Sequence, residues 1–145
     1  MKNQTVEDVF RGAALDEFTS KIVEKLLAAG FVIYRYDAYS TNSIYLKLDF
    51  GVCNSIRISD HEGKGYLKYR YNIGTHIKKK CSKQDKYSRY YYPVSEVDQM
   101  IKDIIADRDD KLKKYGKERY MHYMRENKTK HANDKGFWSK SRRIY

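Results

Sequence analysis

Apolar residues first recur at helical spacing. Leu15, Phe18, Ile22, Leu26 and Ala29 stand three or four apart, which predicts a helix over about 14–29. Asp16 and Glu17 fall near its start, and Gly30 stands where a helix-ending glycine belongs. Thr5 and Asp8 have capping-box spacing for a shorter helix or an arm ahead of it.

From residue 31 the period drops to two. FVIYRYDAY (31–39) is β-branched and aromatic. SIYLKLDFG (43–51) sets Ile44, Leu46, Leu48 and Phe50 against Tyr45, Lys47 and Asp49. SIRIS (55–59) sets Ile56 and Ile58 against Arg57. YLKYRYNIG (66–74) sets Leu67, Tyr69, Tyr71 and Ile73 against Tyr66, Lys68, Arg70 and Asn72. The joints STN, DFGVCN and DHEGKG are short, so the spacing predicts an antiparallel meander with one solvated face.

Residues 75–92 show no period and read as a loop or a ragged edge strand, ended by Pro93. Ser95 and Asp98 then predict a capped helix with Val97, Ile101, Ile104, Ile105 and Leu112 as its apolar stripe. Gly116 ends or interrupts it. Residues 117–127 continue the helical pattern, with Tyr120 and Met124 on one side. The rest reads as a basic tail whose large apolar residues are Phe137 and Trp138.

The order predicts an α+β fold, α-β-β-β-(β)-α. A three- to four-stranded antiparallel sheet carries two helices on one face. The domain covers 1–116, and 117–145 is a basic helical extension and tail. The opposite sheet face is left open, with Lys47, Arg57, Lys68 and Arg70 on it.

Composition narrows the classes. With 34% charged residues and a mean hydropathy of −0.87, the core of this 145-residue chain is small. No apolar run approaches the length of a membrane span, and MKNQTVEDVF lacks a signal-peptide core. Cys53 and Cys81 are isolated, without metal-ligand spacing. His76, His122 and His131 are likewise scattered. The expectation is a cytoplasmic protein with free thiols and neither metal nor cofactor.

Charge adds direction. The net is +11. Residues 64–90 hold nine Lys/Arg against one Asp/Glu, and residues 108–145 hold thirteen against five. Residues 1–63 hold seven against nine. Two separated basic blocks are the footprint of a polyanion partner. Fifteen tyrosines interleave with them, in YLKYRY, KYSRYYY and KYGKERYMHYMR. Tyrosine stacks on unpaired bases while cations hold phosphates. The same mixture anchors protein interfaces, so a protein partner stays open.

LLAAGF (26–31), TNSIY (41–45) and IRIS (56–59), with the helix-strand order around them, resemble the HicA/YcfA-type mRNA-cleaving toxins. Those share a fold with double-stranded RNA-binding domains. The resemblance implies that fold and RNA as partner. The family's catalytic histidine falls at about Asn42, which has no acid–base chemistry, so the resemblance implies binding without cleavage. The double-stranded RNA-binding domain's basic signature is absent from PVSEVDQM (93–100). RISDH (57–61) is similar to segments of small phage and mobile-element proteins, many of them anti-defence factors, anti-CRISPRs included.

Within that segment Ser59, Asp60 and His61 are consecutive. On a strand they alternate faces and form no relay with one another. Asp60 is expected to cap the HEGKG turn with His61 at its rim. Two alternatives remain: an anion-binding corner of Arg57, His61 and Lys64, or acid–base work by His61 with Tyr36 or Asp49.

The sequence thus predicts a non-enzymatic nucleic-acid-binding protein, RNA or single strands favoured. The rival is an inhibitor that binds a host nucleic-acid-guided nuclease or its guide RNA, and a third reading is a HicA-like RNase with its catalysis relocated to His61. Lys68, Arg70, Lys78, Lys79, Lys80, Lys83 and Arg89 are expected at phosphates, with Arg142 and Arg143 of the tail. Tyr66, Tyr69 or Tyr90 are expected to stack.

Overall fold

In the computed structural model, the chain is described over residues 12–38, 42–61, 69–80, 89–130 and 140–145. The Thr5 cap, residues 62–65 of the HEGKG turn with Lys64, Tyr66, Lys68, Cys81, Lys83, His131, Phe137 and Trp138 lie outside the described residues.

Helix α1 (Gly12–Ala28) buries Leu15, Thr19, Ile22, Val23 and Leu26, the face its spacing predicts. Gly30 follows at φ 93, a left-handed conformation open to glycine. Arg108 caps the helix end from elsewhere in the chain, donating to the Ala29 carbonyl at 2.6 Å.

Strands β1 (Ile33–Ala38), β2 (Ser43–Leu48) and β3 (Ser55–Ser59) form the predicted antiparallel meander. The sheet then departs from expectation. It has six strands and is mixed, in the order β5-β4-β3-β2-β1-β6. Strands β4 (Tyr71–Gly74) and β5 (Tyr90–Pro93) run parallel to β3 and to each other. The reason is loop length. β4 begins at Tyr71 rather than near 66, so residues 60–70 separate it from β3 and residues 75–89 separate it from β5. Gaps of that size permit a crossover, which a six-residue joint does not. Gly74 lets β3 and β4 approach: a Cβ there would stand 2.0 Å from the Ser59 carbonyl oxygen.

A single 3₁₀ turn (Val94–Glu96) leads into α2 (Val97–Tyr115), and no side chain caps either, so the Ser95 cap is not formed. α2 buries Met100, Ile101 and Ile104 beside α1, and together they cover one sheet face. Gly116, at φ 86 and ψ 154, breaks the helix. A third helix, α3 (Lys117–Lys130), follows, and the chain returns as β6 (Arg142–Ile144), an edge strand on β1.

α3 docks on the β2–β3 turn. Asp49, Phe50 and Gly51 have φ of 52, 56 and 92 there. For Phe50 that conformation costs on the order of 1–3 kcal/mol. It turns the Phe50 ring outward to meet Tyr120 and Met124 of α3, with Tyr34 5.6 Å away. The buried Asp49 carboxylate accepts the Val32 N–H at 2.8 Å through Oδ1 and the Tyr120 hydroxyl through Oδ2. Packing and hydrogen bonds together offset the backbone strain.

Candidate nucleic-acid interface

The sheet face away from α1 and α2 is built by strand alternation. Ile44, Leu46 and Leu48 point to the helices, so Ser43, Tyr45 and Lys47 point the other way. Strand register extends this into a row across five strands: Tyr36, Tyr45, Arg57, Asn72 and Tyr91. A second row, roughly 7 Å along the strands, joins Arg143, Tyr34 and Lys47.

Along the first row the Tyr36 and Tyr45 rings stack 6.0 Å apart at 18°, and the Tyr69 ring sits 4.8 Å beyond Tyr45. Tyr69 thus lies on the face opposite the one its alternation predicts, because the strand does not reach back to it. Burial pushes its hydroxyl pKa up, the Tyr45 and Tyr36 hydroxyls add to the rise, and Arg57's charge opposes it. All three rings are half-buried. The sequence pattern placed Tyr36 and Tyr45 on strands but did not name them as stacking residues. Only the register puts them side by side, so no local signal marked them.

The cations expected at the interface divide. Lys78 and Lys79 are exposed, with no ion pair among the described residues. Arg142 and Arg143 are exposed on β6. Arg143 shares the ring face through Tyr34, while Arg142 is opposite Arg35 and faces the other way. Arg57 lies on the ring face as expected but is 5% exposed, its Nη1 donating to the His61 carbonyl at 3.3 Å. Arg70 was expected on that face and is not there. It stands on the α2 side, 5.0 Å over the Tyr90 ring and 3.8 Å from Asp107. Lys80 lies 3.4 Å from Asp103 and 5.5 Å over Tyr92. Tyr90 packs on Tyr71 at 6.0 Å rather than joining the other stack. Arg89, at the start of β5, is half-buried.

α3 brings further cations to the Tyr34 end. Lys128 lies 5.8 Å over the Phe50 ring.

The Ser-Asp-His segment also differs from expectation. His61 Nε2 stands 3.2 Å from Asp60 Oδ1, within ion-pair distance for a protonated imidazole but without hydrogen-bond geometry. Beyond the strand end the chain leaves extended geometry, and alternation no longer separates them. Ser59 Oγ accepts the His61 N–H at 3.1 Å, and the backbone of the turn that Asp60 is expected to cap lies outside the described residues. The same oxygen lies 2.8 Å from Ser43 Oγ, so the three residues form no nucleophile relay. Asn42 has φ 49 and lines a small cavity with Arg35 and Asp37.

No group of three His, Cys, Asp or Glu side chains among the described residues is placed to hold a metal ion. Cys53 is buried and free, its thiol pushed up to about 12 by burial. No helix among the described residues is long and apolar enough to cross a membrane. Compared with protein-family models, curated proteins and solved structures, the chain finds no match, and its own geometry carries the functional argument.

Proposed function

We propose that this protein binds single-stranded nucleic acid, RNA favoured, across the sheet face away from α1 and α2, and does so without cleaving it. The observation that carries the reading is the Tyr36–Tyr45–Tyr69 stack beside the Arg143–Tyr34–Lys47 row. Half-buried rings on a rigid sheet offer π-faces to unpaired bases, and the two cations of the neighbouring row, Arg143 and Lys47, suit the phosphates between them. Duplexes keep their bases stacked internally and offer this surface only their backbones. The net charge of +11 supplies the long-range attraction.

The test is fluorescence anisotropy with labelled single-stranded RNA, duplex RNA and duplex DNA at two salt concentrations. Single-stranded RNA should bind tightest, and its affinity should fall steeply with salt. Tyr45→Leu should weaken it by roughly 5- to 100-fold, the range for losing one base–aromatic stack. If none of the three probes binds, the reading is wrong, and the basic surface serves a protein or ribonucleoprotein instead.

A further inference from the structure

The stack accounts for Tyr69 but leaves its neighbour Arg70 unexplained. Arg70 turns to the other side of the sheet edge, into a cavity of about 360 Å³ between β4, β5 and α2. One wall is aromatic. Tyr71 and Tyr90 stack at 17°, with the Arg70 guanidinium 5.9 and 5.0 Å from their ring centres. The other wall is α2, with Asp103, Ala106, Asp107 and Asp110 in the lining.

Those carboxylates are not equivalent. Asp103 is fully engaged: Oδ1 accepts from Gln99 at 2.8 Å, and Oδ2 from the Tyr92 hydroxyl at 2.7 Å. Asp107 Oδ2 accepts from Tyr71 at 3.0 Å and from Asn54 at 3.1 Å. Asp110 is exposed and has neither hydrogen bond nor ion pair among the described residues. It stands one helical turn from Asp107, on the same side.

The cations are already in place as well. Arg70 lies 3.8 Å and Lys111 3.6 Å from Asp107, and Lys80 lies 3.4 Å from Asp103. A further cation would find Asp103 and Asp107 already paired and the Arg70 guanidinium in the lining. A neutral planar group with two donors on one edge meets no such obstacle, and it fits a flat aromatic wall facing a carboxylate. Among the four RNA bases only guanine presents that edge, its N1–H and N2–H₂ matching the two oxygens of one carboxylate. We infer that this cavity is a base-reading slot that selects guanine, with Asp110 accepting from the Watson–Crick edge and the Arg70 guanidinium, which itself covers the Tyr90 ring, stacking on the base.

The inference rests on the single-strand reading: Tyr69 of the stack and Arg70 of the slot are adjacent in the chain, and one strand would turn round the sheet edge to reach both. The experiment is anisotropy with nine-nucleotide RNAs of uridine carrying guanosine, inosine, adenosine or uridine at the centre. Guanosine should bind about ten-fold tighter than uridine, the lower part of the range for a two-point base contact. Inosine, which lacks the N2 amino group, should fall between. Asp110→Asn should erase the guanosine preference without weakening the all-uridine strand, since the net charge rises from +11 to +12. Equal binding of all four strands overturns the slot while the single-strand reading stands. Failure of every strand to bind overturns both. A guanosine preference that survives Asp110→Asn overturns the assignment. So does competition by arginine methyl ester but not by guanosine monophosphate, which would mark the cavity as a seat for a protein partner's side chain.

Discussion

Asp49 bears on both the fold and its pH response. Burial raises its pKa above the ordinary 3.8, and this outweighs the Tyr120 hydroxyl, the Val32 N–H and the charge of Arg108, which all favour the carboxylate. A carboxyl with a raised folded pKa is easier to ionise unfolded than folded. Its contribution to stability is therefore full below about pH 3.8 and is lost as pH rises through the folded value. Asn at this position does not titrate, so Asp49→Asn should gain stability relative to the parent between pH 3 and pH 7. Urea denaturation of both proteins across that range checks the sign. A difference that stays flat with pH would place the folded pKa at its ordinary value.

Among the elements, legibility followed the reach of local rules. α1 and β2 were readable because a periodic pattern of apolar residues records the face each buries. β1 was readable because its residues are β-branched and aromatic, and β3 from the Ile56–Ile58 alternation although both its faces are buried. The parallel pairing of β4 and β5 was not, because it depends on where β4 starts. Arg70 and Tyr69 continue the sequence alternation of YLKYRYNIG while lying outside the strand. The tyrosine stack was half legible: its residue types were read, and its membership waited on register. The docking of α3 was hidden too, since it needs a phenylalanine in a left-handed turn, which no periodicity announces. That docking makes a separate prediction. Phe50→Ala should remove the ring that Tyr34, Tyr120 and Met124 enclose, at a cost of about 3 kcal/mol. Hydrogen exchange should locate the damage: amides of residues 117–130 should exchange much faster, while those of β2 and β3 keep most of their protection. Uniform acceleration through the sheet would mean that α3 and the sheet unfold as one unit.

For the whole molecule the question is whether charge acts in bulk or by position. A chain of +11 draws any polyanion, so weakened binding after a charge reversal does not by itself identify a contact. β6 offers an internal control. Arg142 and Arg143 are adjacent, both exposed and on the same edge strand, yet they face opposite sides of the sheet. Arg142→Glu and Arg143→Glu each take the net charge from +11 to +9, so their long-range effects are nearly equal. What differs is the surface each reaches. Arg143 stands in the row with Tyr34 and Lys47, beside the stack, so its reversal should weaken single-stranded RNA more. It should also reduce the salt slope by about 0.7, the share of one phosphate on a single strand. Arg142→Glu should weaken binding only modestly and keep the slope. Titrations of both variants at three or more salt concentrations decide it. Identical slopes for the two would mean that the strand follows the field of the whole molecule rather than the sheet face, and the tyrosine stack would lose its claim to be the binding surface.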